Sequence, residues 1–214
     1  GTWINEGDIQ PNLIKVTDTT GGTTDISYST AQIQNDTHQA RSVMIVVDAL
    51  TTDAGNGVIS TTTYEYKNAD FYYADAHDRR SSGFGEMIQT NSDGSIKTTK
   101  YHQANGETGN EPTDSYALIG KVFEETMEDG GDNLFKRTRY NYEEGSLGGD
   151  ASSVLTKSIL TQRYDGTSSH TDTVVRYTYD EYGNVTEEDQ LGEVQGSADG
   201  TFVDTGSDKR STEI

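Results

Sequence analysis

The sequence contains no cysteine, two prolines and a single tryptophan. Without cysteine there are no disulfides, no zinc–thiolate sites and no thiol nucleophiles. Cationic residues are scarce as well. Sixteen Lys and Arg stand against 36 Asp and Glu, a formal net charge of −20. Such a chain does not bind DNA or RNA through phosphates, because both partners would be anionic. No run approaches the ~20 apolar residues of a membrane-spanning helix, so no membrane insertion by this segment is expected. The opening stretch Gly1–Gly7 is polar apart from Trp3 and lacks the pattern of a secretory leader.

Apolar residues make up only 30% of the chain. A compact domain usually carries about 45–50%, counting glycine. That shortage leans toward disorder. What is present points the other way: 13 Tyr, 30 Thr and many Val. These side chains suit a pleated, half-buried surface and are depleted in disordered tails. The composition predicts a β protein with a thin core, built as one sheet with one covered face.

Strand signals recur at short spacing, separated by Gly, Asp and Asn. Leu13–Asp18 and Thr23–Ser29 flank Thr19-Thr20-Gly21-Gly22 and read as a hairpin. Ser42–Leu50 is the most apolar run and reads as a buried strand, paired with Val58–Lys67. Asp70–Gly85 is less regular. Glu86–Asn91 and Ser95–Gln103 pair across Ser92-Asp93-Gly94. Ala104–Asp114 is a polar loop, and Asp114–Ile119 has the makings of a short helical turn. Lys121–Glu128 pairs with Leu134–Glu143, and Val154–Tyr164 with Thr171–Asp180. Val185–Gln190 opens another strand, and Gly196–Asp208 is polar. The expected fold is all-β, an antiparallel hairpin meander forming a curved, strip-like sheet. It divides into 1–103, a hairpin region 104–195, and a polar tail or start of a next hairpin at 196–214.

Several strands end in Tyr-x-Tyr before an acidic, Gly-containing turn. Examples are Tyr64-Glu65-Tyr66, Tyr140-Asn141-Tyr142 and Tyr177-Thr178-Tyr179-Asp180-Glu181-Tyr182-Gly183-Asn184. Tyrosines two apart share a face and are expected to stack in a ladder with neighbouring strands. Asp180 and Gly183 supply the turn chemistry.

Tyr177–Thr186 resembles a YD repeat of Rhs-type proteins. The stretch Thr61–Met87 resembles the middle region of the B component of insecticidal Tc toxins. It contains Tyr64 and Tyr66, then Phe71-Tyr72-Tyr73, then Arg79-Arg80-Ser81-Ser82-Gly83-Phe84-Gly85. It departs from that pattern at Ser82, where the resemblance implies arginine. Leu13–Val16 with Gly21–Tyr28 is similar to the hairpin that opens the region, and Thr98–Gln103 also fits. The resemblance covers roughly Leu13–Val194. It implies a β-sheet shell that encloses a C-terminal toxic domain, with this chain as one segment of a far longer secreted or surface polypeptide. Its partners would be neighbouring segments of that polypeptide, with self-association through open strand edges.

Catalytic chemistry finds little support. His38, His77, His102 and His170 are widely spaced, and no nucleophile motif stands out. Glu124-Glu125, Glu143-Glu144 and Glu187-Glu188-Asp189 are adjacent carboxylates, which on a strand point to opposite faces and form no acid–base pair. The chain is expected to be no enzyme and to need no cofactor. Asp129 and Asp132 are weak calcium candidates in a turn that lacks the EF-hand spacing. Gly83 and Gly85 are expected to let the backbone bend while Phe84 plugs the inner face. Arg79 and Arg80 are expected to pair with Asp75 or Asp78. Phe71, Tyr72 and Tyr73 could stack on a sugar, which makes an extracellular adhesion or carbohydrate-binding module the alternative reading.

Overall fold

The computed structural model describes residues 12–33, 42–74, 77, 79–106, 114–148 and 151–214. His38, Asp75 and Asp78 lie outside them, and with the two aspartates lie the expected partners of Arg79 and Arg80.

Among the described residues thirteen antiparallel strands form one open sheet, in an order that follows the sequence from the first strand to the twelfth. The first six are β1 (Lys15–Thr17), β2 (Thr23–Ile33), β3 (Ser42–Asp53), β4 (Ile59–Tyr73), β5 (Arg79–Thr90) and β6 (Ile96–Tyr101). A single turn of 3-10 helix at Tyr116–Leu118 precedes β7 (Val122–Glu128) and matches the expected helical turn. Then come β8 (Leu134–Gly148), β9 (Ala151–Arg163), β10 (Thr171–Tyr179) and β11 (Val185–Gly196). β12 (Phe202–Asp204) and β13 (Arg210–Glu213) both pair with β11, at Val194–Gly196 and at Glu187–Gln190 respectively. The polar stretch after Gly196 therefore completes the sheet. β6 pairs with β7 from Ile96 to Tyr101, so the sheet runs unbroken past position 103.

Two expectations need correcting. Residues 70–73 and 79–85 are more regular than their sequence suggests, because β4 runs on to Tyr73 and pairs with β5 from Thr63 to that end. A bulge between Asp70 and Phe71, with Ser82 as the extra residue opposite, absorbs the broken alternation. Ser42–Leu50 is a strand but not a buried one: Ile45 is 47% exposed. β3 pairs with β4 only at Ala49–Asp53, so the apolar half of β3 has β2 alone beside it.

Five turns share one backbone frame. At 18–22, 91–95, 129–133, 180–184 and 197–201 the first residue donates its N–H to the fifth carbonyl, and the fourth donates to the first carbonyl. The fourth residue has positive φ in each: Gly21, Gly94, Asp132, Gly183 and Gly200. At Asp18, Asp129 and Asp180 the carboxylate Oδ1 accepts the N–H groups two and four residues on. The acidic, glycine-bearing turn of the sequence is this frame, with register set by local bonds.

Register lines up one row across eight strands: Lys67, Glu86, Lys100, Glu124, Arg139, Leu160, Val174 and Leu191. Directly paired residues share a face. The row thus alternates in charge for five strands and then turns apolar. Leu160, Val174, Leu191 and Val194 form the core cluster, with Phe202 packed against it. Gly196–Gly200 lies across this face. Asn141 donates its amide to Gly200 O at 3.0 Å, and Gly196 N–H donates to buried Asp172 at 2.8 Å. A Cβ at Gly196 would sit 2.8 Å from both Leu160 methyls, so only glycine allows this approach. Among the described residues six hydrophobic side chains are buried against twelve polar or charged ones. Buried Thr99 and Thr138, adjacent to Lys100 and Arg139, lie on the opposite face, so cover is not confined to one side, and much of what is covered is polar.

Candidate functional site around the Gly-Phe-Gly strand

β4 and β5 carry the residues singled out by sequence. Tyr64 and Tyr66 alternate with exposed Glu65 on β4, and Tyr66 packs on Phe84 with ring centroids 5.0 Å apart. Gly83 has φ 76°, the left-handed conformation that glycine adopts without strain. Phe84, next to it, is half-buried against Tyr66. Gly85 serves differently: a Cβ there would meet Gln103 Oε1 and the Cβ of Asn68. The buried Gln103 side chain fills that space. Its amide donates to Asn68 O at 2.7 Å and to Gly83 O at 3.1 Å.

The loop after β6 is tied down by one carboxylate. Asp114 accepts N–H bonds from Gln103, Ala104, Asn105 and Gly106 at 2.6–3.1 Å. Asn105 in turn donates to Asp70 on β4 at 2.9 Å. His102 is fully buried, with Phe123 and Tyr142 around its ring. Burial pushes its pKa down, against the pull of Asp114. This is a packing role.

The aromatic trio does not form one platform. Neighbouring residues on a strand face opposite ways. Tyr72 meets Tyr116 of the 3-10 turn edge-on, with centroids 4.7 Å apart. Arg80 lies over the same Tyr116 ring at 4.0 Å and donates to Tyr116 O at 2.9 Å. Tyr72, Arg80 and Tyr116 thus clamp the loop onto β4 and β5. Phe71 and Tyr73 sit on alternate positions, opposite Ser81 and Arg79.

The Tyr-x-Tyr pairs work through their hydroxyls. Tyr142 OH donates to Val122 O, and Tyr179 OH to Thr156 O, both at 2.7 Å. Each acceptor is on the preceding strand and borders a bulge. Tyr177 and Tyr179 lie 6.5 Å apart on their own strand. Among the described residues no Tyr-x-Tyr pair stacks on another, so latches replace the expected ladder. Burial raises the Tyr142 phenol to about 12, and burial with the Glu125 hydrogen bond does the same for Tyr140.

The carboxylates are occupied. Glu124 faces Lys100 at 2.7 Å and Arg139 at 3.1 Å, while Glu125, on the other face, contacts Lys97 and Tyr140. Asp189 is held by Arg176, Lys209 and Ser211, which drive its pKa far down. Asp129 spends its oxygens on Gly131 and Asn133 of its own turn, and Asp132 takes the left-handed position. Among the described residues no group of three or more metal-capable side chains converges. His170 contacts Asp172 at 2.5 Å and stacks near Tyr164. No described helix is long and apolar enough to cross a membrane. Sequence reasoning missed Gln103, Asp114, Arg139 and Asp172, whose roles depend on strand register and loop closure.

This meander has solved counterparts. The crystal structure of TcdB2-TccC3 without its hypervariable C-terminal region superposes with TM-score 0.63 at 12% identity, over 82% of this chain. The TcdB2-TccC3-Cdc42 crystal structure gives 0.64, also at 12% identity and over 82%. The Photorhabdus luminescens Tc holotoxin pore gives 0.60 at 11% identity over 87%. The fold is Tc-toxin-like. This chain spans 12% of each of those chains. No family model and no curated protein matches the sequence.

Proposed function

We propose that the chain is a structural, non-catalytic segment of a large Rhs/Tc-toxin-like secreted or cell-surface polypeptide. It contributes strands to a β-sheet shell that encloses a C-terminal toxin or effector. The observation that carries this reading is the open meander itself. Consecutive hairpins are joined edge to edge, and its likeness to the Tc structures extends over most of the chain but a small part of theirs. Such a sheet continues naturally into further hairpins at its β1 side and beyond β12 and β13. Leu13, Ile14 and Val16, at or beside β1, are exposed, as expected of a strand that another segment covers. The acidic surplus keeps the open face soluble.

The test is proteolytic. The full reading frame that encodes this chain is expressed, and its C-terminal region is probed with trypsin. Deleting β4–β11 in frame should expose that region to cleavage at least tenfold faster. Equal rates in both proteins would sink the reading. The isolated 214-residue chain should self-associate through its open edges, and a monodisperse monomer by light scattering would count against the edge pairing.

A further inference from the structure

Two Asn-Gly pairs lie among the described residues, Asn56-Gly57 and Asn105-Gly106. Both are exposed, and both glycines have positive φ, 83° and 98°. Asparagine is among the thermolabile residues. A following glycine makes it more so, because no Cβ keeps the glycine nitrogen from the side-chain amide. The two pairs carry the same chemistry and differ in what holds them.

Asn105-Gly106 is tied at both nitrogens that the chemistry uses. Gly106 N–H donates to Asp114 Oδ2 at 2.8 Å, and Asn105 N–H donates to the same oxygen at 2.6 Å. The Asn105 side-chain amide donates to Asp70 Oδ2 at 2.9 Å. A glycine nitrogen must give up its proton to attack, and a carboxylate beside it opposes the negative charge that results.

Asn56-Gly57 lies in the turn between β3 and β4 and has none of these ties. Among the described residues the Gly57 N–H has no hydrogen-bond acceptor, and neither has the Asn56 side-chain amide. A Cβ at Gly57 would meet nothing within 4 Å, so the peptide is open to water. The bond that Asn56 does make assists attack. Val58 N–H donates to Asn56 Oδ1 at 3.1 Å, which holds the side-chain carbonyl beside Gly57 and polarises it, as a donor aimed at a developing oxyanion does.

We infer that Asn56 is a site of non-enzymatic deamidation, and that Asp114 and Asp70 spare Asn105 the same fate. Gly57 N loses its proton and bonds to Asn56 Cγ. The Cγ–Nδ2 bond breaks, the side-chain nitrogen leaves as ammonia with that proton, and a cyclic imide remains. Water then opens the imide at either carbonyl, giving aspartate or isoaspartate at position 56. Either product adds one negative charge to a chain already at −20. Isoaspartate also moves an extra carbon into the backbone of the turn. The place matters, because β3 pairs with β4 only at Ala49–Asp53, and this turn closes the short ladder that joins the first three strands to the rest.

The test incubates the 214-residue chain at mildly alkaline pH and follows both sites by peptide mapping with mass spectrometry. Trypsin releases Ser42–Lys67, in which Asn56 is the only asparagine. Asn56 should convert at least about tenfold faster than Asn105, the worth of one hydrogen bond to a charged group. In urea, which removes the ties, the two rates should converge. Asp114→Ala should speed Asn105 and leave Asn56 unchanged. Equal rates in the folded chain overturn the proposal, and so does a gap that persists in urea, which would come from sequence alone. Asn105 slowed or unchanged in Asp114→Ala overturns the protective role of that carboxylate. The urea comparison decides the matter for Asn56 even if the variant fails to fold. The aged chain should exchange amide hydrogens faster at Ala49–Asp53 and not in β8–β10. Unchanged exchange at Ala49–Asp53 overturns the consequence for the ladder.

Discussion

The same cross-strand row is charged from β4 to β8 and apolar from β9 to β11, and the two halves are held by different forces. In the first half Lys67 reaches Glu86 at 4.0 Å with its side chain 43% exposed, a pair that water and salt largely screen. In the second half Leu160 lies beneath Gly196 and is packed with Val174, Leu191 and Val194, and burial does the holding. Between them stands Glu124 beside Arg139, each almost fully buried. A sheet can thus pass from a wet region to a dry one without changing its backbone, provided the seam is an ion pair. A residue's contribution is set by what covers it, not by its place in the row.

The largest effect should come from the seam. Removing one partner of a buried pair strands the other, so Glu124→Ala should cost about 3–5 kcal/mol in urea unfolding. A loss below about 1 kcal/mol would mean that water reaches the pair, and the contrast between halves would dissolve. Next, Leu160→Ala should cost about 2–5 kcal/mol through transfer and cavity terms. Lys67→Ala, in the same row, should cost under about 1 kcal/mol, and raising the salt should shrink even that. Similar costs for Leu160 and Lys67 would abolish the comparison. Gly183→Ala should cost about 1–2 kcal/mol, because its φ of 83° is left-handed. Hydrogen exchange should then show opening of β10 and β11 with β4 and β5 unaffected.

The smallest effect should be common to turns in both halves and in the β1–β2 hairpin before them. Asp18, Asp129 and Asp180 are fully exposed, yet hydrogen bonds within their turns hold each carboxyl below its ordinary range. A pKa depressed by folding adds stability above the unfolded value of about 3.9, and that stability drains as pH falls through the folded value. Stability should therefore hold at neutral pH and fall below about pH 4. The acid limb should survive high salt, since local hydrogen bonds cause it, while the Lys67–Glu86 contribution should not. An acid limb erased by salt would assign the shifts to the net charge instead.

Much of the fold was legible because its rules are local. Asp180, Gly183 and the Tyr-x-Tyr pair before them announce a turn and the strand that enters it, and the structure places each where that chemistry requires. The tyrosines were misjudged in mechanism, since the carbonyls that Tyr142 and Tyr179 bind are freed by bulges that no alternation pattern displays. Asp114 was illegible for another reason. The four N–H groups it gathers come from Gln103–Gly106, and the loop between has no periodicity. Arg139 looks like a solvent-facing charge until register sets it between Glu124 and Leu160. Ser82 stood out only as a departure from a resemblance, and it is the extra residue of the β5 bulge.

From β1 to β12 every strand pairs with the strands just before and after it in the chain. Contacts are therefore close in sequence, which keeps the loop-closure entropy of each step small. A polypeptide leaving the ribosome could dock each hairpin onto the last as it emerges, with no need to wait for a distant partner. The step out of line is the return of β13 to β11, where Asp189 gathers Lys209 and Ser211. Closure of that strand would then be a late event in folding, a latch set after the row beneath it is already in place.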